Sequence, residues 1–261
     1  MPNVSLVPCS QEDFEKRADS FEKLSRWVTS DSINNIPFYY LSRRTTMGNV
    51  LDAGGGTGYL AHYLMNRLPL SSLTIVDASP KMLDLAKTRI PSAKLVNTSI
   101  ETFCSNSTVL FDTILARQIF HYVDDVDMII RLLRERLDED GLMYVGQFVV
   151  CNQESNIWHK NLIEKISKNR KRSFTIDEYK QKFEANGFRI LESYSEDYEE
   201  NIRDFFSRKT NNDLEYDLLL KSATDSLNGK IKDSMKIRFQ NSNIFFTVQF
   251  CHLLLMKDSG E

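Results

Sequence analysis

The chain is short of the residues that build metal centres and disulfide scaffolds. It has 4 cysteines and 4 histidines in 261 residues. Cys9, Cys104, Cys151 and Cys251 are far apart and lack metal-ligand spacing, so free thiols in a reducing, cytoplasmic compartment are expected. His62, His159 and His252 have no ligand spacing either and are expected at satisfied or exposed positions. There is no excess of positive charge: 33 Lys and Arg stand against 36 Asp and Glu, for a net charge of −3. No global field would therefore draw the chain to nucleic acid or anionic lipid. Long apolar runs are missing too. The longest, Ile244 to Met256, is broken by Gln249 and His252 and is too short to span a bilayer. The first ten residues lack the basic-then-apolar order of a signal peptide. Repeats and low-complexity tracts are absent.

What is present is an ordinary globular composition, 41% hydrophobic and 26% charged, in a chain long enough for one large α/β domain with a lid. Phe14, Ala18, Phe21, Leu24 and Val28 recur at three- and four-residue steps, which predicts helices over residues 11–46, interrupted at Pro37. Strands are predicted at Asn49–Ala53, Leu73–Asp77, Lys94–Asn97, Phe111–Ala116 and Leu142–Val150. Helices are predicted between them, one capped by Ser79 with Pro80 at its first position and another opening at Asp124 or Asp125. Strands alternating with helices imply parallel pairing with right-handed crossovers. After Cys151 come a helix, a capping-box start at Thr175, a sixth strand at Phe188–Ser193, a polar helical segment over Tyr198–Ile237 and a last strand at Ile244–Met256. The expected fold is a Rossmann-like α/β sheet of seven strands, mostly parallel with an antiparallel edge, plus a helical lid. The expected division is 1–48 lid, 49–150 ligand-binding core, and 151–261 acceptor lid with terminal strands.

Val50-Leu-Asp-Ala-Gly-Gly-Gly-Thr-Gly-Tyr59 sits where the first strand meets the first crossover helix. Such a turn lets backbone approach a ligand, as in dinucleotide enzymes. The dinucleotide spacing G-x-G-x-x-G fails here, however, because its last position from Gly54 is Tyr59. Asp52 stands at the strand end, where its charge would repel a pyrophosphate and attract an ammonium. Asp77 ends the second strand, the place from which an acid holds ribose hydroxyls. A ligand with a ribose, an ammonium and no phosphate fits, which describes S-adenosylmethionine.

Over roughly Asn49 to Val150 the sequence resembles the class I methyltransferase superfamily, through Val50–Gly58 and through Val76-Asp-Ala-Ser-Pro-Lys-Met-Leu83. The resemblance implies an S-adenosylmethionine site: Asp52, Gly54, Gly56 and Gly58 at the methionine part, Asp77 at the ribose, and Ala78 and Met82 beside the adenine. Ser99 and Ile100 follow the third strand, with Ser99 where the family usually carries an acid and Glu101 able to compensate.

Leu115-Ala-Arg-Gln-Ile-Phe-His-Tyr122 follows the fourth strand, where the acceptor is usually chosen. It lacks the Asn/Asp-Pro-Pro-Tyr/Phe sequence of amino-methylating enzymes, and no paired-carboxylate metal site is evident, so metal-independent transfer to oxygen or carbon is expected. His121 lies four residues after Arg117, on one face if this turn is helical. Histidine is the natural base near neutral pH. The spacing resembles the aminocoumarin C-methyltransferases, in which such a pair deprotonates the acceptor. Arg117 and His121 are thus the candidate catalytic residues, with Arg117 also at the cofactor pocket; the alternative is that they only shape that pocket. Gln147 could reach the same site. Aromatics before the first strand and after Cys151, among them Phe21, Trp27 and Phe205, would line an apolar acceptor pocket. Lys165, Lys168, Arg170, Lys171 and Arg172 form a basic run that is either a solvated face or a docking point for an acidic partner. The expected acceptor is a small aromatic or phenolic metabolite, of natural-product or quinone type; transfer to nitrogen or RNA, or a catalytically silent cofactor-binding protein, are the alternatives. Membrane association is not expected, nucleic acid is disfavoured, and the sequence leaves the oligomeric state open.

Overall fold

The computed structural model describes residues 14–15, 18–150, 152–166, 173–207, 213–240 and 243–259. Its centre is one eight-stranded sheet, against the seven strands expected, because a short strand at Arg238–Gln240 joins the others. In chain order the strands are β1 (Asn49–Ala53), β2 (Ser72–Asp77), β3 (Lys94–Asn97), β4 (Phe111–Arg117), β5 (Leu137–Val149), β6 (Phe188–Asn201), β7 (Arg238–Gln240) and β8 (Asn243–Lys257). They lie in the order β3-β2-β1-β4-β5-β8-β6, with β7 beside β8. The first five pair in parallel. β8 runs antiparallel between β5 and β6. The chain leaves β1 in one direction for β2 and β3 and returns past it to β4. The strand ends of β1 and β4 therefore border the crevice where ligands bind in such sheets.

The helices are α1 (Phe21–Leu24), α2 (Asp31–Leu41), α3 (Tyr59–Met65), α4 (Pro80–Arg89), α5 (Ile100–Asn106), α6 (Val126–Arg136), α7 (Gln153–Ile166), α8 (Ile176–Ala185), α9 (Ile202–Ser207), α10 (Asp213–Asp225) and α11 (Gly229–Ser234). The local signals act as expected at several starts. Ser79 caps α4 by accepting from the Met82 amide, with Pro80 at the first position, where its missing N–H costs nothing. Asp125 caps α6, and Thr175 with Glu178 closes a full capping box on α8.

Two apolar clusters sandwich the sheet. One joins α6 and α8 to it through Ile129, Ile130, Leu133, Tyr179 and Phe183. The other joins α2, α3 and α4 through Leu41, Leu60, Leu64, Leu83 and Ala86. A third cluster lies under α7, α9 and α10, where Trp158, Leu162, Phe205 and Phe206 meet Phe246 and Phe250 of β8.

Three expectations need correction. Pro37 does not interrupt its helix but sits buried inside α2. The segment before α2 is helical only in short pieces, Ala18–Ser20, Phe21–Leu24 and Arg26–Val28, two of them single 3-10 turns. β6 continues through Asn201, so residues 198–201 are strand and the helical insertion begins at Ile202. The basic run over 168–172 lies outside the described residues. Among the described residues no helix is long and apolar enough to cross a membrane.

Candidate active site

The turn after β1 is drawn against β2 because the Gly54 and Gly55 amides both donate to the Val76 carbonyl, at 2.8 and 3.2 Å. Gly54 and Gly56 have φ of +65° and +55°, where a side chain is strained. A Cβ on Gly54 would lie 2.5 Å from Ile119 Cγ2, whereas one on Gly56 would meet nothing within 4 Å. Gly56 thus presents bare backbone to open space. Its amide donates to Asp77 Oδ2 at 2.9 Å, and the Ser79 amide donates to Asp77 Oδ1 at 2.8 Å. These two bonds fix the carboxylate and leave it further lone pairs for ribose hydroxyls. Burial raises the Asp77 pKa, opposed by these same bonds.

Asp52 is 2% exposed, and its Oδ2 has no hydrogen-bond partner. Burial pushes its carboxyl up to about 7, against the pull of the Arg117 charge. A buried acceptor without a donor is costly, and an ammonium is the group that would satisfy it.

A cavity of about 430 Å³ opens beyond these strand ends, within the range of small-molecule sites. Asp52, Gly54, Gly56 and Asp77 line one part, and Ala78, Met82, Ser99 and Ile100 another. Gly58 is not among the lining residues. It starts α3 and faces Ile75, Ala86 and Ile90, so its part is helix-on-sheet packing. The Ser99 hydroxyl caps α5, accepting from the Thr102 amide at 3.1 Å, and so serves the helix in place of an acid facing the ligand. Glu101 lines the cavity as well.

Arg117 and His121 line the same cavity but not as neighbours on a helix. After β4 the chain turns sharply at Gln118, whose φ is +60°, and residues 120–122 form a turn. Backbone strain at a non-glycine residue bordering a cleft is typical of functional sites. The Arg117 guanidinium donates to Asn34 Oδ1 at 2.9 Å and lies 5.1 Å from the Trp27 ring. Burial lowers its pKa, opposed by Tyr144 and Asp52. His121, 3% exposed, pairs through Nδ1 with Gln147 Oε1 at 3.2 Å. A carbonyl oxygen only accepts, so the proton sits on Nδ1 and the basic lone pair on Nε2. Gln147 does not line the cavity and meets it only through this contact with His121.

Another part of the cavity is walled by Phe21, Trp27, Phe148, Ile163 and Phe205. Phe148 escaped the sequence reading because it sits inside a core-like stretch. So did Glu15, Glu22 and Asn34, which bind the N-terminal segment over the cleft. Glu22 holds Arg89 through both carboxylate oxygens, at 2.7 and 3.0 Å, and accepts from Thr57 Oγ1 at 2.6 Å. Glu15 accepts from Ser79 Oγ at 2.6 Å.

A family described as "Methyltransferase domain" matches residues 51–143, the stretch that carries this geometry. A malonyl-[acyl-carrier protein] O-methyltransferase of Acetivibrio thermocellus is 23% identical over 133 residues, covering 51% of this chain and 46% of the relative. The Bacillus anthracis protein of the same name is 30% identical over 101 residues, covering 38% of this chain and 37% of its own length. The chain thus spans about half or less of the length of these curated relatives. Among solved structures, the YcgJ protein of Bacillus subtilis shares the fold with a TM-score of 0.74 at 16% identity, over 87% of this chain and 98% of that one. Motif, sheet order and family match agree on one stretch: residues 51–143 form a methyltransferase domain, and the glycine-rich turn, Asp52 and Asp77 all lie in it.

Proposed function

We propose that the chain transfers a methyl group from S-adenosylmethionine to an anionic or phenolic oxygen, or to a carbon activated by one, on a small apolar acceptor. One observation carries this reading: a single cavity joins the Asp52 and Asp77 carboxylates to Arg117 and His121 beneath an aromatic wall. The unpaired Asp52 oxygen, the bare backbone at Gly56 and the fixed Asp77 carboxylate fit the ammonium, the methionine chain and the ribose of the cofactor. When bound, the cofactor supplies a methyl group on a sulfonium, open to in-line attack by a nucleophile.

The chain's own residues then have three tasks. Arg117 holds the acceptor's negative oxygen, since a guanidinium keeps its charge even when burial disfavours it. His121, oriented by Gln147, takes a phenolic proton on Nε2. Trp27, Phe148 and Phe205 exclude water and fix the acceptor's apolar body, so that alignment supplies much of the rate. The relatives named for malonyl-[acyl-carrier protein] O-methylation support an oxygen acceptor, because a malonyl group ends in a carboxylate that the same arginine would suit.

The test is a panel of phenols, short carboxylic acids, amines and RNA, with S-adenosylhomocysteine formation as readout. Turnover on phenols or carboxylates, lost in Arg117→Met, is expected. Turnover confined to amines or RNA would overturn the reading. So would cofactor binding with no turnover on any acceptor, the behaviour of a silent cofactor-binding protein.

A further inference from the structure

Behind the cavity wall lies a buried polar chain that the proposed transfer leaves unused. His252 of β8 and Tyr144 of β5 are both 0% exposed. Tyr144 Oη and His252 Nδ1 are 2.9 Å apart, and His252 Nε2 and Glu196 Oε1 of β6 are 3.0 Å apart. Strand register shows where this chain leads. Gly146 pairs with Arg117 on β4 on one side and with His252 on β8 on the other, so the three occupy one row across the sheet. Side chains in such a row share a face, as do residues two apart on a strand. A Cβ on Gly146 would lie 2.7 Å from Tyr144 Oη. The tyrosine hydroxyl therefore fills the space that glycine leaves between the arginine and the histidine.

The direction of the hydrogen bonds follows from chemistry. An ionised carboxylate only accepts, so His252 donates from Nε2 to Glu196. Nδ1 then carries the lone pair and accepts from the Tyr144 hydroxyl. The phenolic oxygen is left with its lone pairs available to the guanidinium on the other side of Gly146. Arg117 and Tyr144 lie close enough that each perturbs the other's ionisation.

We propose that Glu196, His252 and Tyr144, threaded through the gap at Gly146, are positioning residues that orient the Arg117 guanidinium in the cavity wall. The proposal rests on the reading of Arg117 as the group that holds the acceptor's anionic oxygen, and it deepens that reading. Glu196 is the far end of the relay; it also binds Ser32 of α2, the helix that carries Asn34, so Ser32→Ala is the control for an effect that travels through α2 instead.

The test is nitrogen NMR of arginine- and histidine-labelled protein without ligand, with the Arg117 Nε–H signal assigned by its loss in Arg117→Lys. The expected wild-type state is His252 protonated at Nε2 and an Arg117 Nε–H protected from exchange. Tyr144→Phe and Glu196→Gln should each shift that signal and speed its exchange about tenfold, the scale of one hydrogen bond to a charged group. Unchanged backbone amide signals from Arg131, Arg134 and Arg136 of α6 show that each variant is folded, and Glu196→Gln tests the relay even if Tyr144→Phe unfolds. A wild-type His252 protonated at Nδ1, or an Arg117 signal unmoved in the folded variants, overturns the proposal. Full turnover in Arg117→Met together with the expected spectra would sink the acceptor role of Arg117 and leave the relay supported.

Discussion

Consider what Asp52 must do when a ligand ammonium arrives. Burial holds its carboxyl at about 7, so near that pH about half of the ligand-free molecules carry it protonated. An ammonium needs the carboxylate, so binding must expel the proton wherever it is present. S-adenosylhomocysteine carries the same ammonium without the reactive methyl and is the suitable probe. Its Kd should be flat above about pH 8 and weaken by about tenfold per pH unit below about pH 7. Proton release should rise from about half a proton per site at pH 7 to nearly one a unit lower, measured by calorimetry in two buffers of different ionisation enthalpy. Asp77 is also shifted upward by burial, so Asp52→Asn is the necessary control. It should flatten the profile and weaken binding by roughly 1.5 to 3 kcal/mol, a factor of about ten to a hundred. The sign for stability is the reverse. An acid whose folded pKa is raised favours the fold at low pH and opposes it as pH climbs through that value, so Asp52→Asn should raise the Tm of the ligand-free protein at about pH 8. Equal Kd values at about pH 6 and pH 8 in the wild type would refute the assignment of the ammonium to Asp52.

Three further outcomes are expected. Glu22→Gln loosens the clamp on Arg89 and Thr57 and should speed S-adenosylhomocysteine dissociation roughly fivefold, about 1 kcal/mol for a partly exposed pair, read by stopped-flow fluorescence. Gly55→Ala drives a Cβ to 2.7 Å from Asp52 Cγ and should destabilise the fold and abolish cofactor binding, whereas Gly56→Ala has room in the ligand-free protein, should cost the fold only about 1 kcal/mol of backbone strain, and should weaken binding by placing its Cβ in the cavity; thermal melts separate the two. His121→Ala should slow turnover of a phenolic acceptor about a hundredfold or more and flatten its rate between about pH 6 and 9; a pH–rate profile unchanged from wild type would remove the base assignment.

The core of the sheet was legible because each local signal there acts alone. Asn49–Ala53 and Pro80–Arg89 appear with the boundaries that apolar runs and the Ser79–Pro80 cap suggest. β6 was cut short because Glu192, Ser195, Glu196, Asp197 and Glu199 look like solvated surface. Several of those charges are in fact held by residues of other strands, Glu196 by His252 and Glu199 by Arg238, which a sequence cannot display. The residues proposed for the cofactor were visible because most of them fall in two motifs, Val50–Gly58 and Val76–Leu83. Asn34 and Glu22 were not, since their meaning arises only when the N-terminal segment folds back onto Arg117 and Arg89, 83 and 67 residues away. Arg117 and His121 share a cavity as expected, but a left-handed bend at Gln118 brings them there, and residue spacing does not encode it.

The interior placement of β8 bears on how the protein assembles. β5 and β6 are both made before it, yet neither touches the other, and each waits for the same later partner. Until Asn243–Lys257 slots in, two long strands expose unpaired backbone, the condition that invites wrong pairing between molecules. Lesions in this strand should therefore reveal themselves first as aggregation during synthesis, well before any defect in catalysis can be measured.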